Sequence, residues 1–314
     1  MNTVAQIYIG IDISKDFLDI HLYPLEKAFR ITNDMKGIKK LLRMLSKYEV
    51  INIVFESSGG YEYLLSKELS NKMYSYWQVE PRRIKAFIIS EGVHVKTDKI
   101  DAKMIALFAA QKRPKYDKAQ PTFNEERICA LAKCRADLIQ MMVKEKNRKK
   151  HPAQIHCRDR ISKHIAFIEK EIKEIDKELD ELIKTDEKWK KQEEIITSVP
   201  GLGKVSASGL IAGLPELGKL TNKEIASLVG VAPIIQQSGA SKGTSTVKGG
   251  RRIVRNILYM ASVVAMRHNP TIKIFYNRLR KAGKAFKVAI VAVMRKLIVI
   301  LNVMVKKGET WQAA

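Results

Sequence analysis

The chain has 314 residues, 46% of them hydrophobic, which is enough for two compact units plus a connection and excludes a disordered, low-hydropathy polymer. Its 57 Lys and Arg against 33 Asp and Glu give a net charge of +24; residues 201–314 alone hold 19 basic side chains and three acidic ones (Glu216, Glu224, Glu309), a net +16. Such a density repels itself unless a polyanion neutralises it, so nucleic acid is the expected partner, ahead of an acidic membrane surface.

Short apolar runs broken by turn signals predict strands at 7–11, 17–22, 28–31 and 50–55, with a helix over 37–48 where Ile38, Leu41, Leu42 and Leu45 recur at helical spacing. A helix (60–70), a strand (74–79) and two further helices (81–89 and 98–112) follow. Three leading strands and then alternation of helix and strand is the order of an RNase-H-like α/β layer, assigned to residues 1–118.

From 119 to 190 the strand signal disappears. Ile161, Ile165, Ile168, Ile172, Ile175, Leu179 and Leu182 are spaced 4, 3, 4, 3, 4, 3 with charged residues between them, an a/d seam over three heptads. Central coiled-coil helices are expected, paired either with the preceding helix or with a second chain; Lys149-Lys150-His151-Pro152 interrupts the pattern and leaves the start of the coil open. Three cysteines (Cys129, Cys134, Cys157), with no secretory signal read ahead of Ile7, argue against a disulfide scaffold and for a reducing bacterial cytoplasm. With His151 and His156 they match no common zinc spacing.

Residues 191–314 read as a mainly α domain: short helices and Gly-rich loops, then helices near 250–268, 270–282 and 285–305. The run 288–305 is apolar enough to suggest a membrane, but Arg295 and Lys296 sit near its centre, so a buried helix and no membrane are expected. Ser198-Val199-Pro200-Gly201-Leu202-Gly203-Lys204 has the form of a helix-hairpin-helix element, in which Gly201 and Gly203 let backbone N–H groups approach a phosphate and Lys204 adds charge; a tight turn between packed helices is the plainer reading. Farther on, Lys242, Lys248, Arg251, Arg252 and Arg255, flanked by Gly243, Gly249 and Gly250, suggest a second anion site.

The chemistry-bearing candidates are four acids. Asp12 stands where the first strand ends, in Gly10-Ile11-Asp12-Ile13-Ser14-Lys15, and Glu56 stands likewise after the strand at 50–55. Two strands paired in one sheet would set them side by side. In Lys96-Thr97-Asp98-Lys99-Ile100-Asp101, the two aspartates share one helix face with Thr97 as a plausible N-cap. Like charges so close are unfavourable unless a cation, or the helix N-terminus, offsets them, and carboxylates converging from separate elements suit a two-metal Mg²⁺ site for phosphodiester chemistry. Singly, each acid could be a turn, loop, cap or solvated residue; together, on the expected elements, they weigh against coincidence.

On these motifs, on Glu56-Ser57-Ser58-Gly59, and on two C-terminal segments, Ser198-Val199-Pro200-Gly201-Leu202-Gly203-Lys204 and the stretch in which Gly230-Val231-Ala232-Pro233 leads into Gln236-Gln237-Ser238-Gly239-Ala240, the chain resembles the DEDD transposases of bacterial insertion sequences (insertion sequence 110/1111 family) over nearly its whole length. The resemblance implies that Asp12, Glu56, Asp98 and Asp101 are RuvC-like metal ligands. It also implies that Ser238 is a catalytic serine attacking DNA to give a phosphoserine intermediate; from chemistry alone it is a loop serine with no visible activating base. The resemblance further implies a structured guide RNA encoded by the element; DNA partners (the element's own ends and a target) and a homo-oligomer, dimer or tetramer, held through the coiled coil are expected beside it. A RuvC-like Holliday-junction resolvase would need the four acids but not Ser238, and a non-catalytic nucleic-acid-binding protein would need neither.

Overall fold

Ile7, Ile9, Ile11 and Ile13 alternate with Tyr8, Gly10 and Asp12, and in the computed structural model this period of two becomes strand β1 (Gln6–Ile13), the middle of a five-stranded sheet. Around it lie β2 (Phe17–Tyr23), β3 (Lys27–Thr32), β4 (Glu49–Glu56) and β5 (Tyr76–Val79), in the order β3-β2-β1-β4-β5. The first three strands run antiparallel, whereas β4 lies parallel to β1 and β5 parallel to β4. The structure describes residues 6–93, 98–112, 123–234, 237–238, 241–242 and 246–312, with the backbone alone at 98, 99, 123, 237, 238, 241 and 242. It divides into two compact units, Met1–Gln120 and Pro121–Ala314.

In the first unit, helices α1 (Met35–Leu45) and α2 (Tyr63–Asn71) cover one sheet face, where Ile7, Ile9, Ile11, Ile53 and Phe55 meet Ile38, Leu41, Leu45, Leu65 and Leu69. Asp34 starts α1 by accepting the Gly37 amide at 2.7 Å, which satisfies one of the first-turn N–H groups. Helices α3 (Pro81–Ser90) and α4 (Asp98–Gln111) lie on the opposite face, where Val54 and Tyr8 pack with Ile84, Phe87, Ile105 and Phe108.

Gly10 determines how close α4 comes. A Cβ at this position would lie 2.7 Å from the carbonyl carbon of Ile105 and nearer still to Ala102 O and Ala106 N, all helix backbone that no rotamer can move. Gly10→Ala is therefore expected to destabilise the first unit by about 3 kcal/mol, an overpacking cost, and to show it as a lower urea midpoint.

The second unit is helical. Its first helices, α5 (Phe123–Lys150) and α6 (Arg158–Thr185), form an antiparallel hairpin turned by a 3₁₀ segment, Pro152–Cys157, so the Lys149-Lys150-His151-Pro152 irregularity is the hairpin's bend. Residue numbers rise on α5 as their partners' fall on α6: Arg127 with Glu178 at 3.3 Å, Arg135 with Asp176 at 2.5 Å, Lys146 with Glu169 at 2.9 Å. The isoleucine seam of α6 is buried, with Ile161, Ile165, Ile168, Ile175, Leu179 and Leu182 all closed off, and its cover is α5 of the same chain.

Beyond the hairpin come α7 (Glu187–Thr197), α8 (Lys204–Gly213), α9 (Asn222–Val229), a short ribbon of β6 (Gln237–Ser238) and β7 (Ser241–Lys242), then α10 (Arg252–His268), α11 (Pro270–Lys281) and α12 (Phe286–Lys307). One continuous core joins Ile128 and Leu179 at the hairpin base to Leu210, Ile225, Leu258, Leu297 and Leu301. Among the described residues α12 alone is long and apolar enough to cross a membrane, but half of it is buried against this core and Lys296 lies over the Phe275 ring at 4.5 Å.

Candidate active site

Side chains alternate along a strand, so the face that carries Val54 and Tyr8 also carries Asp12 on β1 and Glu56 on β4. The parallel register pairs Gly10 with Val54 and Ile11 with Phe55, so Asp12 and Glu56 follow side by side where these two strands end. Both are partly buried. Asp101 arrives from α4, whose next residue, Ala102, touches β1 at Gly10, two positions before Asp12. Asp12 and Glu56 thus stand side by side at the strand ends, and Asp101 lies on the helix that packs over the same sheet face. The Asp98 side chain lies outside the described residues; its backbone begins α4, one helical turn before Asp101. Among the described residues no three His, Cys, Asp or Glu side chains are close enough to hold a metal by themselves. Hard carboxylate oxygens from two strands and a helix are nevertheless the donor set that Mg²⁺ accepts.

Two neighbours of this edge escape sequence reasoning. Asp19 on β2 is the cross-strand partner of Asp12, buried at 7% exposure, and accepts two hydrogen bonds from Arg30, at 2.9 Å from Nε and 2.8 Å from Nη2. The other is Glu62, which organises the loop that follows Glu56. Its Oε2 accepts from Ser58 Oγ (2.7 Å), Ser58 N (3.2 Å) and Gly60 N (2.9 Å), and its Oε1 accepts from Gln78 Nε2 (2.7 Å). Burial pushes the Glu62 carboxyl up, but the hydrogen bonds from Ser58 and the loop amides together hold it below its ordinary value of 4.5. A depressed carboxylate contributes stability that is present above 4.5 and lost as pH falls through the folded value. Urea unfolding of Glu62→Gln should thus show a deficit against the parent at neutral pH that shrinks on acidification below 4.5.

On the opposite flank, α4 is fastened to the β2–β3 turn by Lys103, whose Nζ lies 2.7 Å from Glu26 Oε2. His21 stands 3.7 Å from the same oxygen, and desolvation lowers its pKa despite Glu26.

In the second unit, Ser238 belongs to the β6/β7 ribbon, paired with Ser241, while Gln237 pairs with Lys242 and Ile234 bridges to Thr246 below them. The turn between the strands lies outside the described residues, as do the side chains of Ser238 and Lys242. The ribbon's base is clasped firmly. Gly230 ends α9 at φ 77° and Gly250 sits at φ 76°, and a Cβ on Gly250 would fall 2.5 Å from the Gly230 Cα. Arg251 then donates to both Glu216 oxygens at 2.6 Å and to the Gly213 carbonyl at 2.9 Å, while its own amide reaches Leu228 O at 3.0 Å. Arg255 Nη1 donates to the Gly249 carbonyl.

Arg251 and Arg255, read from sequence as phosphate grips, are therefore engaged within the chain; charge is legible in a sequence, its partner is not. Lys248 and Arg252 are exposed. Glu216→Ala is expected to lower stability by about 1–2 kcal/mol, the loss from an exposed-side bidentate pair, measured by urea denaturation.

At the Pro200 turn, Gly201 (φ 104°) packs on α10, since a Cβ there would lie 2.7 Å from Ala265 Cα. Gly203 faces open space, and Lys204 is 3.3 Å from Asp180.

Residues 9–152 match the profile of the transposase family described as DEDD_Tnp_IS110, and residues 193–277 match the profile of the "Transposase IS116/IS110/IS902 family". The chain belongs to the IS110 family of DEDD transposases. Over 98% of both chains it is 26% identical to the pilin gene-inverting proteins of Moraxella bovis and of Moraxella lacunata. It is 27% identical to the insertion element IS110 uncharacterized 43.6 kDa protein of Streptomyces coelicolor over 38% of this chain and 30% of that one. A transposase cleaves and recombines DNA, so DNA is the substrate. The N-terminal profile covers Asp12, Glu56, Asp98 and Asp101, and the C-terminal one covers Ser238 and its ribbon.

Proposed function

We propose that this transposase cuts and exchanges DNA strands with two chemical groups: a Mg²⁺-binding carboxylate set in an RNase-H-like domain and a serine nucleophile in the C-terminal domain. The observation that carries the first is the side-by-side standing of Asp12 and Glu56 at the ends of parallel strands, on the face against which Gly10 admits α4 and Asp101. The strand order β3-β2-β1-β4-β5, antiparallel then parallel, supports the RNase-H-like reading. Asp12, Glu56, Asp98 and Asp101 would hold the metal. Bound divalent cations activate an attacking oxygen and stabilise the leaving one. Two strands and a helix keep the carboxylates fixed, and Glu62 keeps the following loop in one conformation.

Ser238 Oγ attacks a backbone phosphorus. The Oγ–P bond forms as the bond from phosphorus to the leaving deoxyribose oxygen breaks; the serine proton passes to a base and the leaving oxygen gains a proton. Reversal by a new deoxyribose hydroxyl joins the strand to another partner without an external energy source. Arg251, Arg255 and the Gly230/Gly250 crossing act here as positioning groups for the ribbon, whereas Lys242, Lys248, Arg252, Gly203 and Lys204 contact phosphates. In this reading the nuclease domain is 1–118, the helical, coiled-coil region 119–190 and the serine domain 191–314. The protein works as an oligomer in the bacterial cytoplasm, with an element-encoded structured RNA as guide. Because the α6 seam is already covered by α5, self-association uses the outer faces of the hairpin.

A second reading, site-specific inversion of a chromosomal segment, is favoured by the full-length likeness to pilin gene-inverting proteins. Sequencing the RNA that copurifies from cells carrying the element tests guidance. One discrete RNA from the element's non-coding flank is expected; random host RNA alone would remove the guide from the account.

A further inference from the structure

Of the cations that sequence suggests as grips for nucleic acid, Arg251 is held by Glu216 and Arg255 donates to the Gly249 carbonyl. A different surface carries five exposed cations. At the elbow between α11 and α12, Arg278, Arg280, Lys281, Lys284 and Lys287 are all exposed, and among the described residues none of them forms an ion pair. The sequence offers them no partner nearby, because no Asp or Glu occurs between Glu224 and Glu309.

The elbow is also stiff. Ile272 and Val293 anchor the two helices in one small core with Ala265, Tyr276 packs edge-on against Phe286 at 6.4 Å, and Arg280 Nη1 closes the turn on the Lys284 carbonyl at 2.6 Å. Helix capping accounts for Arg278, Arg280 and Lys281, which follow the dipole at the end of α11. It does not account for Lys284 and Lys287, which stand at the start of α12, where the dipole disfavours positive charge and the first turn holds no acid. A rigid, self-repelling patch of this kind is stabilised by an extended polyanion.

We propose that the α11–α12 elbow is a sequence-independent grip on the phosphate backbone of duplex DNA, made by residues other than those of the serine ribbon and the four acids. DNA is chosen over RNA because DNA is the substrate of this family, and both family profiles stop at or before residue 277, so neither accounts for the patch. The inference rests on the chain's acting on DNA and not on the roles assigned to Ser238 or the four acids.

The test is the salt dependence of binding, by fluorescence anisotropy, of a labelled duplex to the full-length protein and to the triple variant Lys281→Gln, Lys284→Gln, Lys287→Gln. Arg280 is left in place because it holds the turn. Each phosphate contact contributes about 0.9 to the slope of log affinity against log salt, so a slope shallower by about 2 to 3 is expected, and by about 1 for Lys284→Gln alone. A charge-matched control, Lys163→Gln, Lys170→Gln, Lys177→Gln on α6, whose Lys170 and Lys177 already face Glu174 and Glu181, should change the slope less. An unchanged slope in both elbow variants, or a loss seen only with an RNA hairpin of equal length, would overturn the proposal.

Discussion

Ser238→Ala is expected to abolish strand exchange, by at least about 10³-fold, while leaving duplex binding within a few-fold of the parent, since removing a nucleophile that acts as one unit with its activating groups removes nearly all of the rate. The backbone of Ser238 sits in a paired ribbon whose base is fixed by Arg251, Glu216 and the Gly230/Gly250 crossing, so loss of one hydroxyl leaves the scaffold intact. Labelled-duplex assays on denaturing gels would read both numbers. A resolvase that cleaves through its acids alone would keep cutting.

Asp12→Asn and Asp101→Asn should lower cleavage by about 10²–10⁴-fold, several kcal/mol of lost charge stabilisation, and should also remove the stabilising effect of added Mg²⁺ on thermal unfolding. Ser238→Ala should keep that Mg²⁺ effect, so the two classes of variant separate metal binding from nucleophilic attack. Thermal shifts with and without Mg²⁺ check this directly. If Asp12→Asn retains the full shift, the carboxylate edge is not where the metal binds.

The first unit was largely legible because its strands and helices announce themselves by period: Ile7 to Ile13 alternate and Ile38 to Leu45 recur by turns, whereas the close approach of the α4 backbone at Gly10 was not read. Asp12 and Glu56 could be picked out because both end strands. Asp19 and Glu62 could not, since their roles depend on cross-strand register and on loop amides brought together only by folding. On α6 the seam was visible but its partner was not; heptad spacing says that a helix must be covered, not by which helix. The short β6/β7 ribbon carried no alternating apolar signal, being Gln-Ser and Ser-Lys, and was read as loop. Arg251 shows the limit of charge as a guide: its neighbours in sequence suggested a phosphate, and folding supplied Glu216.

The most direct test of the account is to react the full-length protein with DNA carrying its joined element ends in Mg²⁺, with any copurifying RNA retained, then digest with nuclease and protease and map the nucleotide adduct by mass spectrometry. The expected result is a phosphonucleotide on the peptide containing Ser238, absent when Mg²⁺ is chelated. Cleaved DNA without any adduct, or an adduct on another residue, would contradict the serine mechanism.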